Sequence, residues 1–73
     1  HARTMNANAR QNLGENLIAI REASGLSKVD FALQLGISRV LLDLIESGNS
    51  NLKLSTLEKI ADRLGTQPWK LIR

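Results

Sequence analysis

The sequence predicts an all-α domain of five short helices. Three observations carry this: apolar residues recur at helical spacing; Ser, Asn and Gly punctuate the apolar stretches where helices start and stop; and no stretch alternates apolar and polar residues as a strand would. No internal repeat or low-complexity tract interrupts the pattern. At 73 residues and 8.1 kDa, the chain builds one core and is too short for most enzymes.

The first helix is expected over 7–23, because Leu13, Leu17 and Ile20 fall at i, i+4, i+7 on one face. Asn6 or Asn8 caps it, and Ser24-Gly25 ends it. Ser27 is the N-cap of a second helix, with Asp30 placed to favour its positive end, and this helix runs to Leu35 and stops at Gly36. Only Ile37 separates that glycine from Ser38, a further N-cap, so the third helix, about Arg39 to Ser47, begins almost at once and at a steep angle. Gly48 ends it. The Asn- and Ser-rich stretch 49–54 favours local backbone hydrogen bonds and reads as a loop. Ser55-Thr56-Leu57-Glu58 then reads as a capping box, followed by Leu57, Ile60, Ala61 and Leu64 as the buried stripe of a fourth helix closed by Gly65. Pro68 suits the first position of a short fifth helix, expected to carry Trp69, Leu71 and Ile72 back to the core.

Composition excludes several classes. Apolar residues at 42% and charged residues at 23% are ordinary for a globular chain. Cysteine is absent, so disulfides and thiolate metal sites are excluded, and a reducing cytoplasm is compatible. Apolar runs such as Val40-Leu41-Leu42 fall far short of the roughly 20 residues that cross a bilayer. The lone histidine is His1, and the acids are scattered without a glycine-rich phosphate loop, so neither an active site nor a metal site is expected. His1–Thr4 share no pattern with the rest of the chain and read as a vector-derived remnant, with Met5 the expected native start and 5–73 the domain. A net charge of +3 and a pI near 10.0 favour a polyanionic partner without requiring one.

The informative spacing is Ser27-x3-Phe31-Ala32-x3-Gly36-Ile37-Ser38-x3-Leu42-x2-Ile45-Glu46-x-Gly48. Small Ala32 permits a close helix crossing, Gly36 supplies the turn, and Ile37, Leu42 and Ile45 lock one helix over the other, which is a helix-turn-helix. With Ile20-Arg21 before Gly25-Leu26-Ser27, and Leu57-Glu58-Lys59-Ile60-Ala61-x2-Leu64-Gly65, the chain from Leu13 to Ile72 resembles the Cro and phage-repressor (XRE-type) helix-turn-helix regulators. Its Asn51-Leu52-Lys53-Leu54 loop is similar to that of restriction-modification controller proteins.

The resemblance implies a compact lambda-repressor-like fold and a cytoplasmic, homodimeric regulator of double-stranded DNA, repressor or controller in type, with no cofactor. It places the third helix in the major groove and the second across the backbone, with two half-sites one helical turn apart. The base-contacting positions of the family fall on Ser38, Arg39, Val40 and Leu44. Arg39 is the strongest reader, since a guanidinium bonds guanine O6 and N7 together, whereas Val40 and Leu44 meet only thymine methyls or groove shape. Phosphate contacts fall to Ser27, Lys28, Asn49, Asn51 and Lys53, which position without specifying. Arg21 and Glu46 match a structural ion pair, and Leu52, Trp69, Leu71 and Ile72 are candidates for the two-fold contact.

Each residue also has a plainer role. Arg39, Lys28 and Lys53 suit a solvated surface, and Trp69 and Phe31 suit a core or an interface better than a base-stacking platform. The third helix is greasy where the family is commonly polar. A second reading is therefore a protein-interaction module, antitoxin- or antirepressor-like, that binds a partner through Leu33, Leu41 and Leu44; residues beyond Arg73 or the other subunit would also suit that patch.

Overall fold

A computed structural model of the chain describes residues 6–73. It contains α1 (Ala7–Ser24), α2 (Lys28–Leu35), α3 (Arg39–Glu46), α4 (Leu54–Leu64) and α5 (Pro68–Leu71), with no strand among the described residues. The segment His1–Thr4 and Met5 lie outside the described residues.

Local chemistry sets most boundaries. Asn6, not Asn8, caps α1: its Oδ1 accepts from the Ala9 N–H at 2.8 Å. Ser27 Oγ accepts from the Asp30 N–H at 3.1 Å and Ser38 Oγ from the Leu41 N–H at 3.0 Å, each satisfying one of the free donors of a first turn. Between them, α2 ends in a Schellman motif: Gly36 N–H donates to Leu33 O at 3.1 Å and Ile37 N–H to Ala32 O at 3.0 Å. The motif needs a left-handed residue, and Gly36 supplies it at φ 73°. Three residues thus turn the chain from α2 into α3.

The helices enclose one core. Leu13 and Leu17 of α1, Phe31 and Leu35 of α2, Leu42 and Ile45 of α3 and Ile60 of α4 are fully or almost fully buried. α1 packs on α3 and α5, while α2 packs on α3 and α4. The α1–α3 contact is close because Gly14 is in it. A Cβ there would overlap the Ile45 carbonyl oxygen and stand 3.2 Å from that of Glu46.

Five expectations are corrected. The Ser55–Glu58 capping box is not formed: α4 starts at Leu54, its N-cap is Lys53 without a side-chain bond, and the Thr56 and Leu57 amides both reach the Lys53 carbonyl at 3.1 Å. Ser55 therefore sits inside the first turn, where its hydroxyl cannot act as a cap. The expected loop loses Leu54 to the helix accordingly, and α3 ends at Glu46, with Ser47 as its C-cap. Trp69 does not return to the core; it is 54% exposed, since a four-residue helix buries one face and Leu71 takes it. Leu52 and Leu71, candidates for a two-fold contact, are buried in the subunit's own core, which leaves Trp69 and half-buried Ile72 at the surface.

Candidate nucleic-acid interface

α3 buries Leu42 and Ile45 and turns the opposite face outward. Arg39, Val40, Asp43 and Leu44 are all exposed there, Val40 at 71% and Leu44 at 45%. Eight helical residues span about 12 Å, and a helix with its side chains fits the roughly 12 Å width of the major groove. Arg39 makes no ion pair or side-chain hydrogen bond among the described residues, so its five donors are available. Ser38 is exposed, with its oxygen engaged as the α3 cap.

The N-terminus of α2 lies beside this face. Lys28 is not free: its Nζ donates to Asp43 Oδ1 at 3.0 Å and lies 3.8 Å from Glu46 Oε1. The Lys28 and Asp43 side chains are 40% and 47% exposed, and so open a pair is weak and readily exchanged for another anion. Behind it, Arg21 donates to both carboxylate oxygens of Glu46, at 2.8 and 3.2 Å. Glu46 is 8% exposed, and its hydrogen bond is the main cause holding the Arg21 guanidinium above its ordinary range. This forked pair ties α1 to the end of α3.

The loop after α3 alternates. Ser50 and Leu52 point inward and are buried, whereas Asn49, Asn51 and Lys53 are exposed. Asn49 Nδ2 also donates to Ser47 Oγ at 3.2 Å. Of the apolar residues proposed to meet a protein partner, Leu33 is 76% exposed and Leu44 45%, but Leu41 is half-buried against the core and contributes little to an outer patch.

Two supports of this surface escape the sequence reading. One is Gly14, which allows α1 to lie against the C-terminal end of α3; a glycine within a helical pattern is the signal for such an approach. The other is a pair of cations one helical turn apart on α4. Lys59 Nζ donates to Gly36 O at 2.8 Å and Arg63 Nη1 to Gln34 O at 3.3 Å, so both hold the carbonyl end of α2 at the turn.

Among the described residues no group of potential metal ligands is found, and no helix is long and apolar enough to cross a membrane. A capped helix, a three-residue glycine turn and a second capped helix with an outward polar and apolar face define a helix-turn-helix domain. The chain belongs to the HTH_3 helix-turn-helix family, whose profile matches residues 17–68.

Solved structures agree with this. A hypothetical transcription factor, NHTF, from Neisseria is 28% identical with a TM-score of 0.78, covering 100% of this chain and 85% of its own. The restriction-modification controller protein C.AhdI from Aeromonas hydrophila is 31% identical with a TM-score of 0.72, covering 85% of this chain and 94% of its own. Hydroxypropylphosphonic acid epoxidase from S. wedmorenis also matches, at 28% identity and a TM-score of 0.79, over 93% of this chain but only 36% of the enzyme. No curated protein sequence matches. The family and the transcription-factor neighbours support a DNA-binding, non-enzymatic regulator.

Proposed function

We propose that the protein is a sequence-specific regulator of transcription that binds an operator as a homodimer, one α3 in the major groove of each half-site. The observation that carries this reading is the exposed Arg39, unpaired among the described residues, on the outward face of a helix whose other face is locked into the core. Arg39 reads guanine, while Val40 and Leu44 meet thymine methyls and Ser38 stands at the helix start. Ser27 and Lys28 at the start of α2, with Asn49, Asn51 and Lys53 of the following loop, contact phosphates. Trp69 and Ile72 supply the two-fold contact. Occupying the operator then blocks polymerase or positions it at a neighbouring promoter. A gel shift with DNA from upstream of the gene should show a complex that weakens steeply with salt; equal affinity for random DNA would refute a specific regulator.

A second reading has its own observation. Leu33 at 76%, Val40 at 71% and Leu44 at 45% exposure leave apolar surface that also suits a protein partner. The substitutions Arg39→Ala and Leu44→Asp separate the two. A DNA regulator loses operator discrimination with the first, whereas a partner-binding module ignores it and loses its partner with the second.

A further inference from the structure

The outer face of α3 carries two rows at i, i+4 spacing: Val40 with Leu44, and Arg39 with Asp43. Of the two acids on this helix, Glu46 turns inward to Arg21, while Asp43 stands half-exposed on the face that would enter the groove. A carboxylate there is costly near phosphates unless it has a task and a neutralising partner. It has the partner, since Lys28 Nζ holds Oδ1 at 3.0 Å. Oδ2 accepts no hydrogen bond among the described residues, so one acceptor is left open on the reading face.

Resting on the DNA-binding reading above, we propose that Asp43 is a specificity-determining residue that reads cytosine. An ionised carboxylate only accepts hydrogen bonds. In the major groove, cytosine presents the N4 amino donor alone, adenine pairs its donor with an acceptor at N7, and guanine and thymine present acceptors. Asp43 therefore favours cytosine and repels guanine and thymine edges. Arg39 lies one helical turn earlier, about 6 Å along the axis, which corresponds to one or two base-pair steps. The half-site it defines holds a guanine under Arg39 and a cytosine one or two pairs away.

The test is selection from a randomised double-stranded library with the 73-residue protein, followed by affinities on the selected site and its single-base variants. Wild type should select a cytosine at one position and lose roughly tenfold when it is replaced, within the range for one mismatched pair. D43N should abolish that preference and leave the rest of the site unchanged; D43E should retain it. K28M should weaken binding to all sequences alike and keep the cytosine. Thermal melts establish that each variant is folded. If D43N selects the same site as wild type, with affinity changed evenly across sequences, Asp43 serves only as a clip for Lys28 and the proposal is overturned. If wild type selects no site at all, the regulator reading fails first and takes this inference with it.

Discussion

Gly14→Ala should destabilise the domain, although the same change in an exposed helix interior stabilises it by about 0.5–1 kcal/mol. The added Cβ would overlap the Ile45 carbonyl oxygen and crowd that of Glu46. Both obstacles are backbone atoms, so no rotamer change relieves them; α1 and α3 must separate. Against backbone, forcing in a methyl should cost toward the upper end of the usual range, roughly 2–3 kcal/mol, which leaves a net loss of about 1–2.5 kcal/mol after the propensity gain. For a domain of this size, that lowers the melting temperature by roughly 5–15 °C. Thermal and urea denaturation followed by circular dichroism measure it. Ala19→Gly, at an exposed position of the same helix, gives the propensity scale, with an expected loss of about 1 kcal/mol. A Gly14→Ala protein as stable as wild type, or more so, would refute the close α1–α3 approach.

Other outcomes rest on single contacts. Leu42→Ala removes a fully buried side chain and should cost about 2–5 kcal/mol in urea denaturation, a large part of the stability of a 73-residue domain. Asn16→Ala removes the 2.7 Å bond from Nδ2 to the Leu71 carbonyl, so hydrogen exchange should quicken in α5 while α2 and α3 keep their protection. Lys59→Met frees the Gly36 carbonyl, and a loss of about 0.3–1 kcal/mol that shrinks with added salt is expected in thermal melts. Arg39→Ala should leave the melting temperature unchanged yet reduce discrimination between operator and random DNA by about 1–3 kcal/mol in competitive gel shifts.

Features that depend on neighbours along the chain were legible in the sequence. Ser27 and Ser38 cap with their own side chains, and Gly25 and Gly36 bend the chain where they stand, so the turn and the orientation of α3 come from a few adjacent residues. The failures share one cause. Ser55–Glu58 has the letters of a capping box, but burying Leu52 and starting α4 at Leu54 leaves the chain already helical when it reaches Ser55. Trp69 and Leu52 exchange their expected places, one outward and one inward, because burial depends on which face α5 and the loop present to the rest of the core. Asp43 is ordinary in sequence and becomes informative only when Lys28 is found opposite it, 15 positions away.

The proposed face also bounds how specific one subunit can be. Arg39 contributes about 1–3 kcal/mol of discrimination, and Val40 and Leu44 add methyl contacts that tolerate more sequences. Specific sites are generally bound about 4–10 kcal/mol more tightly than random DNA. A single α3 lies at or below the bottom of that range, whereas two copies on well-separated half-sites add nearly independently and reach it. Within this reading, dimerisation is therefore a condition of specificity and not only of affinity. The consequence is measurable in sedimentation and gel shifts run on the same dilution series. At concentrations where the protein sediments as a monomer, discrimination between operator and random DNA should fall to roughly what one α3 supplies, and a monomer that still discriminated fully would show that α3 reads more than Arg39 and Asp43 allow.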